Sequence, residues 1–503
     1  MLGGSVGIRY ACMMAHSVAT LFDTSTLPSP AKPERSRQAT LGQFFTPAPV
    51  AAFIAGLFSP PTSAVRLLDA GAGEGALTQA FVDRWHEVSV AVDAYEVDSA
   101  VLPALVTRLQ SLEREGVTAN AIDDDFLRAA ATMIRLERGQ RYTHAILNPP
   151  YRKIATVSVE RQLARSVGLE TVNLYSAFVG LALELMEPGG ELAAIIPRSF
   201  CNGPYYRPFR DWLFERGALR RIHLFHSRRD AFSGDGVLQE NVILTLERGG
   251  VQGDVTVSTS TGADFSDLQS QSHRFDEIVA SGDVDRVISI PTSKVRIGDE
   301  TGLTLAELGL NVATGPVVDF RLRDHLRRDL GESDAPLIYP QHLKGGRLSW
   351  PVDGKKPNAI EINSTSDKWL IPTGWYVIVK RFSSKEERRR VVATLCDPTT
   401  LPGKLLGIDN KLNIIRYGKL PLAEVVARGL TVYLNSTRVD EAFRLFSGHT
   451  QVNASDLRRM KFPTELQLEL LGQAALADPP EDQQSVDAQV SAIVGDIIEP
   501  EAV

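Results

Sequence analysis

Short apolar runs alternate with stretches of helical apolar spacing between residues 65 and 250. Such an alternation is typical of α/β proteins, in which helices cover the faces of a mainly parallel sheet. We assign strands to the seven runs 65–68, 88–95, 117–122, 145–147, 191–196, 222–225 and 242–246. The pattern therefore predicts an α/β fold with a mixed, mainly parallel sheet of seven strands.

The remaining parts of the chain have other residue patterns. The first 40 residues lack sustained periodicity and predict a flexible leader, with either Met1 or Met14 as the true start. The segment 251–300 is polar and rich in Ser and Asp, and the part after it has scattered strands, turns and aromatic residues. We therefore divide the chain into a leader at 1–40, an α/β domain at 41–250, a hinge or insertion at 251–300, a mixed α+β domain at 301–476 and an acidic tail at 477–503.

Composition supports an ordinary globular protein. The chain has 503 residues, of which 43% are hydrophobic, and this is enough for two or three domains with proper cores. The formal net charge is -7, but the acidic tail has no Lys or Arg and accounts for the excess of acid. Basic clusters are concentrated after residue 380, so the net charge does not exclude a nucleic-acid partner.

The cysteines and the apolar stretches indicate the compartment. Cys12, Cys201 and Cys396 lie far apart and lack the spacing of a disulfide framework or a zinc site, so we expect no metal. No stretch approaches the roughly 20 apolar residues of a membrane span, and residues 1–20 lack the features of a secretory signal. We expect a cytoplasmic protein with no membrane partner.

A glycine-rich loop follows the first predicted strand. It reads Asp69-Ala70-Gly71-Ala72-Gly73-Glu74-Gly75, and the second predicted strand ends at Glu96. Glycines at a strand–helix junction let a ligand approach the backbone, and an acid roughly 20 residues later can bind a ribose diol. The spacing differs from the dinucleotide pattern and favours a nucleoside ligand without a pyrophosphate. The third strand ends near Asp125-Phe126, an acid and a ring that can read an adenine edge and cover its face.

The fourth predicted strand ends at Asn148-Pro149-Pro150-Tyr151. Two prolines cannot continue a sheet, so an amide, a carbonyl and an aromatic ring are presented at the carboxyl edge of the sheet. Ligands of open α/β sheets bind at this edge.

These segments together resemble the S-adenosylmethionine-dependent DNA adenine-N6 methyltransferases of the gamma class, from type II restriction-modification systems. The resemblance extends from Leu41 to Pro463 and includes the stretches Val237–Asn241 and Gly448–Asn453. It implies a Rossmann-like methyltransferase domain followed by a target-recognition domain. Asn148, Pro149, Pro150 and Tyr151 would then form the catalytic motif, with Asn148 and Pro149 accepting the N6 hydrogens of a flipped adenine. Phe232 is a second candidate face for that base, although core packing is favoured for it.

The resemblance also implies the cofactor and the partners. The residues expected at S-adenosylmethionine are Thr46 and Pro47 at its methionine end, Asp69, Gly71 and Gly73 at its amino group, Glu96 at its ribose, and Asp125 with Phe126 at its adenine. Double-stranded DNA would be the substrate, and candidate contacts in the second domain are Lys380, Arg381, Lys411, Asn413, Gln451 and Asn453. A separate restriction endonuclease would be the functional partner, and a monomer is expected.

Two other functions stay open at this point. The same motif serves RNA and protein-glutamine methyltransferases, although a second domain of well over 150 residues favours DNA. A decayed DNA-binding specificity protein is the other alternative, and the intact Asn148 and Tyr151 argue against it.

Overall fold

The computed structural model describes residues 46–137, 141–226, 240–291, 302–344, 346–383, 387–447 and 450–495. The predicted leader, part of the predicted hinge and the last eight residues lie outside this part of the chain.

A nine-stranded sheet organises the first half of the described chain. Its strands are β1 Val65–Ala70, β2 Val90–Tyr95, β3 Val117–Ile122, β4 Tyr142–Leu147, β5 Met186–Pro197, β6 Gly217–Phe225, β7 Asn241–Arg248, β8 Val255–Ser260 and β9 Gln269–His273. Their order is β3-β2-β1-β4-β5-β7-β6-β8-β9. Strands β1 to β5 pair in parallel, whereas β7 runs antiparallel to both β5 and β6. The predicted α/β class with a mixed, mainly parallel sheet is confirmed.

The sheet contains two more strands than the seven that we predicted. Strand β8 pairs in parallel with β6, and β9 pairs antiparallel with β8. Both strands lie in the segment 251–300, where we expected a hinge or insertion. The sheet therefore continues past residue 250. Its last two strands are rich in polar residues, so the pattern of apolar runs did not predict them. Strand β5 also begins earlier than the predicted run 191–196, at Met186.

Helices cover both faces of this sheet. They are α1 Ala48–Ala55, α2 Ala76–Arg84, α3 Leu102–Leu112, α4 Phe126–Arg135, α5 Val159–Ser166, α6 Leu174–Glu184, α7 Arg207–Arg216 and the short α8 Phe275–Ile278. Successive residues of a strand point to opposite faces, so Leu67 packs on the side of α1 to α3, whereas Leu68 packs on the side of α4 to α7. Strand β4 follows the same rule with Ile146 and Leu147. The carboxyl ends of β1, β2 and β4 are thereby brought to one edge between two helical layers.

The second half of the described chain contains smaller sheets. Their strands are β10 Asn311–Thr314, β11 Leu326–Arg327, β12 Asp334–Ile338, β13 Leu343–Lys344, β14 Arg347–Leu348, β15 Ala359–Glu361, β16 Leu370–Pro372, β17 Tyr376–Lys380, β18 Ala393–Cys396, β19 Leu405–Ile408 and β20 Leu412–Arg416. They form the sheets β10-β20-β17-β18, β11-β15-β12-β19-β16 and β13-β14. This agrees with the mixed α+β domain that we predicted.

Helices complete the second domain. They are α9 Glu424–Leu434, α10 Thr437–Phe446, α11 Ala454–Arg459, α12 Glu465–Ala477 and α13 Gln483–Val494. Helix α13 lies in the predicted acidic tail, so much of that tail is helical. Within the described ranges, no helix has the length and apolar character that crossing a membrane requires. Cys201 and Cys396 are buried and free of disulfides.

Two glycines bring α9 and α12 into close contact. A Cβ atom on Gly429 would lie 1.9 Å from the Leu468 carbonyl oxygen, and one on Gly472 would lie 1.8 Å from the Val425 carbonyl oxygen. Both distances are far below van der Waals contact. The two helices can therefore pack this closely only because neither glycine has a side chain.

We expect Gly429→Ala to lower the free energy of unfolding by about 3 kcal/mol or more, because the added methyl group must push the helix backbones apart. Urea titration followed by circular dichroism measures the change. Gly253→Ala is the control, because the nearest atom to its added Cβ would be the flexible end of Arg220 at 3.7 Å. Equal stability of the two variants would contradict the assigned role of Gly429.

Candidate active site

The glycine-rich loop leaves β1 at the carboxyl edge of the sheet and leads into α2. Gly71, Gly73 and Gly75 have φ values of 76°, 56° and 80°, a region that favours glycine. The backbone N–H groups of Gly71 and Ala72 both donate to the Tyr95 carbonyl oxygen, at 3.0 and 2.9 Å. The loop is thus tied to the end of β2 and is open to a close approach by a ligand.

Glu96 fixes the loop from the end of β2. Its carboxylate accepts hydrogen bonds from the backbone N–H groups of Gly73, Val97 and Asp98, at 2.9, 2.8 and 2.7 Å. The side chain is almost completely buried. Glu96 therefore organises the junction between β1 and β2, and its contact with a ribose stays a prediction.

Asp69 is a buried acid beneath the same loop. Its Oδ2 accepts a hydrogen bond of 2.7 Å from the Thr78 hydroxyl of α2, whereas its Oδ1 has no hydrogen-bonding partner among the described residues. Burial raises the pKa of Asp69 to about 7, although the hydrogen bonds from Thr78 oppose the shift. An incoming cationic group would relieve this cost, because it would favour the ionised carboxylate.

Asp125 and Phe126 begin α4 next to the loop. Asp125 caps the helix by accepting a hydrogen bond from the Arg128 N–H at 3.0 Å. The Phe126 ring is only 3% exposed and lies between Tyr95 and Phe178, with ring-centre distances of 5.5 and 5.2 Å. Both residues therefore have structural roles, and their contacts with a cofactor adenine stay predictions.

The Asn148 amide lies between two hydroxyl groups at the end of β4. Its Nδ2 donates to Thr46 Oγ1 at 2.9 Å, and its Oδ1 accepts from the Tyr151 hydroxyl at 2.9 Å. The Tyr151 hydroxyl also lies 3.1 Å from the Ile195 carbonyl oxygen of β5. Because Thr46 and Pro47 immediately precede α1, the start of that helix is joined to the motif. The amide is therefore held from both sides, with its oxygen towards Tyr151 and its nitrogen towards Thr46.

The glycine loop and the Asn-Pro-Pro-Tyr motif are neighbours. A Cβ atom on Gly71 would lie 3.8 Å from Pro150 Cδ and 3.4 Å from the Phe178 ring. The structure thus brings the predicted cofactor loop and the predicted catalytic motif to one place. Phe178 was missed by sequence reasoning, although its spacing of three residues from Tyr175 on α6 is a helical-face signal.

A group of tyrosines packs behind the motif. The Tyr151 ring meets Tyr175 edge to face at 6.3 Å, and Tyr175 stacks on Tyr206 at 5.9 Å. The Tyr175 hydroxyl lies 3.1 Å from Ser199 Oγ, just after β5. Burial raises the pKa of Tyr151 well above its ordinary value, so its hydroxyl stays protonated and cannot act as a base near neutral pH. Sequence reasoning did not find Tyr175 or Tyr206, because their contacts join separate elements.

Arg198 joins this edge of the sheet to the second domain. It follows β5 directly, is buried, and forms an ion pair of 3.0 Å with Glu240. Its guanidinium also donates to the carbonyl oxygens of Arg444 and Leu445, at 3.0 and 2.6 Å. Because these carbonyls belong to the last turn of α10, the second domain is held against the end of the strand that contacts Tyr151.

The candidate DNA contacts form one cluster, with Lys380 at its border. The Arg381 guanidinium donates to the Asn410 carbonyl at 2.6 Å and lies 3.3 Å from Gln451 Oε1 and 3.5 Å from Asn453 Oδ1. The Arg381 N–H donates to the carbonyl oxygen of Lys411 at 3.1 Å.

Asn413 differs from the other candidates. It is fully buried, and its amide donates to the Val452 carbonyl at 2.8 Å. A direct contact between Asn413 and DNA is therefore not available in this structure, and its side chain instead supports the 450–453 segment. Phe232 and the Gly448–His449 pair lie outside the described residues.

Comparison with known proteins agrees with this geometry. A family model described as the Eco57I restriction-modification methylase matches residues 96–232. The chain is 47% identical to type II methyltransferase M.BsuBI of Bacillus subtilis, over 86% of this chain and 89% of that protein. It is 40% identical to type II methyltransferase M.PstI of Providencia stuartii, over 87% and 89% of the two chains.

A solved structure is similar in fold. The type IIL restriction-modification enzyme MmeI in complex with DNA matches 90% of this chain and 71% of its own, with a TM-score of 0.50 and 11% identity. The fold and the site define an S-adenosylmethionine-dependent methyltransferase. The chain belongs to the family of type II restriction-modification methyltransferases, and it is a DNA methyltransferase.

We expect binding of S-adenosylmethionine to tighten as pH rises, because Asp69 with a pKa of about 7 must ionise to hold the ammonium group. Between pH 6 and pH 7.5 the ionised fraction of such a carboxyl rises roughly eightfold, whereas an amino group with a pKa of about 7.7 stays mostly protonated. Because the protonated fraction of the amino group falls to roughly three fifths over the same range, calorimetry without DNA should show a Kd that falls by about fivefold. Asp69→Asn is the control and should bind weakly at every pH. A Kd of the unchanged protein that does not vary with pH would contradict the binding of the ammonium group by ionised Asp69.

Proposed function

We propose that this protein transfers the methyl group of S-adenosylmethionine to the N6 atom of an adenine that is rotated out of a specific DNA duplex. Modified sites would be protected from a separate restriction endonuclease of the same system. The observation that supports the proposal most directly is the Asn148 amide, held by the Thr46 and Tyr151 hydroxyls next to the glycine loop. A monomer suffices for this reaction, because one site modifies one strand at a time.

Asn148 and Pro149 would activate the adenine amino group. The N6 lone pair is delocalised into the ring, so the nitrogen is a poor nucleophile. Two acceptors, Asn148 Oδ1 and the Pro149 carbonyl oxygen, would each take one N6 hydrogen and favour a tetrahedral nitrogen with a localised lone pair. No strong base is required, because the developing positive charge on nitrogen is stabilised by these oxygens. After the transfer, the positively charged N6 would lose one of its protons to water, which restores the neutral amine.

The Tyr151 hydroxyl permits this exchange of hydrogen bonds. It has one hydrogen and two acceptors within reach, Asn148 Oδ1 at 2.9 Å and the Ile195 carbonyl at 3.1 Å. When adenine donates to Asn148, the hydroxyl can keep the bond to Ile195. The amide is therefore oriented before the base arrives, and the cost of leaving a buried donor unsatisfied is avoided.

The residues at the loop fit the expected cofactor. S-adenosylmethionine supplies a methyl group on a positively charged sulfonium, which is already activated for transfer. Asp69, with one carboxylate oxygen unpartnered among the described residues, would bind the ammonium group. Gly71 and Gly73 would allow the ligand to approach the backbone, Glu96 would bind the ribose, and Thr46 with Pro47 would contact the methionine end. Asp125 and Phe126 would be nearest to the adenine of the cofactor.

The Tyr151 ring would stabilise the target base in its position outside the duplex by stacking on it. Rotating an adenine out of the stack costs a few kcal/mol. A base that stacks on an aromatic ring recovers roughly 1 to 3 kcal/mol. Tyr175 supports the Tyr151 ring from behind, so the ring is already held in place before the base binds.

The transfer itself is tested with labelled S-adenosylmethionine. We expect label to appear on duplex DNA, and we expect Asn148→Ala to lower kcat at least about 100-fold, in the range of a lost oriented acceptor. Binding of DNA, measured by fluorescence anisotropy, should persist in this variant. Label on RNA or on protein, with none on DNA, would overturn the proposal.

Tyr151→Phe is a matched control for that experiment. It keeps the ring and Asn148, but it removes the hydroxyl that orients the amide. We expect kcat to fall only about two- to tenfold, as for one net hydrogen bond. A loss as large as that of Asn148→Ala would contradict this expectation and show that the remaining hydrogen bond to Thr46 cannot hold the amide in place.

A further inference from the structure

Phe382 is an exposed aromatic residue on the loop between β17 and β18. Its side chain is 56% exposed, although most large apolar residues of this domain are buried. It directly follows Lys380 and Arg381 in the chain. No function has been assigned to it so far.

The backbone at Phe382 is held firmly. Phe382 forms a β-bridge with Gln451, and the Ser383 N–H donates to the Thr450 carbonyl at 3.1 Å. The Val452 N–H donates to the Arg381 carbonyl at 2.7 Å. An exposed ring on a fixed backbone is suited to recognition, because little conformational entropy is lost when it binds.

The same loop is anchored to α10, the helix that Arg198 binds from the end of β5. On its other side, the Arg444 guanidinium donates to the Glu387 carbonyl at 3.0 Å, and the buried Arg390 contacts Asp440 of α10. The last turn of α10 is in turn bound by Arg198, directly after β5. Phe382 is therefore connected through α10 and the 450–452 segment to the strand end that contacts Tyr151.

The charges around Phe382 are mainly positive. Lys380 and Arg381 precede it, and Lys411 is joined to Arg381 through the backbone. Among the described acids near this loop, Asp319 pairs with Lys356 and lies 3.8 Å from Lys411, whereas Asp409, Asp440 and Asp456 are buried. An exposed ring next to cations matches a nucleic acid, which offers π-faces between phosphates.

We propose that Phe382 is a base-stacking residue of the DNA-binding surface and contacts a base next to the extruded adenine. This inference rests on the proposed function and adds a specific contact to it. Insertion of an apolar ring at a base step would stabilise the unstacked duplex and so favour rotation of the target base.

The test uses a duplex that contains the target sequence, mapped from the methylated positions in DNA of cells that express the protein. We expect Phe382→Ala to raise the Kd for this duplex by about 5- to 150-fold, as for one lost stacking contact. Phe382→Trp should restore affinity to within about threefold, because any aromatic face can stack. The dependence of Kd on salt should not change, because no phosphate contact is removed.

Tyr417→Ala is the matched control. Tyr417 is 55% exposed and follows β20, whereas Lys411 precedes that strand, so the two positions are at opposite ends of β20. This variant should bind the duplex as the unchanged protein does, and both variants should keep their melting temperature and their Kd for S-adenosylmethionine. Unchanged DNA binding by Phe382→Ala, or an equal loss of affinity in Tyr417→Ala, would overturn the proposed stacking contact but not the proposed function. Failure of the unchanged protein to methylate any duplex would overturn the proposed function as well.

Discussion

The orientation of one amide is the constraint on which the proposed mechanism depends. An Asn side chain that is free to rotate presents either an acceptor or a donor, and only the acceptor can activate an amino group. Here the amide of Asn148 lies between the Thr46 and Tyr151 hydroxyls. Tyr151 is in turn held by the Ile195 carbonyl of β5 and by the ring of Tyr175. The start of α1, the ends of β4 and β5 and one face of α6 must all be in place for this orientation to hold.

The same edge of the sheet links the glycine loop and the second domain. Glu96 ties the glycine loop to the end of β2, because its carboxylate accepts hydrogen bonds from the Gly73 N–H of the loop and from the Val97 and Asp98 N–H groups after β2. Arg198 binds the last turn of α10 from the end of β5. Strand β5 and the residue that follows it therefore contact both Tyr151 and the second domain.

The sequence predicts the part of this structure that follows from periodicity and from local motifs. Seven strands, the glycine loop and the Asn-Pro-Pro-Tyr motif were placed correctly, because apolar runs and special backbone residues mark them. Strand β9 was missed because its five residues, Gln269–His273, include no apolar side chain and pair only at the sheet edge. Asn413 was named as a candidate DNA contact, although it is buried and donates to the Val452 carbonyl. The contact between Arg198 and Leu445 joins residues 247 positions apart, and no local pattern reports such a contact.

The chemical identity of the product tests the central claim most directly. Duplex DNA that has reacted with the protein and S-adenosylmethionine is digested to nucleosides and analysed by mass spectrometry. An oriented amide and a carbonyl that together accept two hydrogens from a purine amino group predict N6-methyldeoxyadenosine as the product. Methylation at cytosine, at N4 or at C5, would contradict the proposed role of Asn148 and Pro149 at adenine.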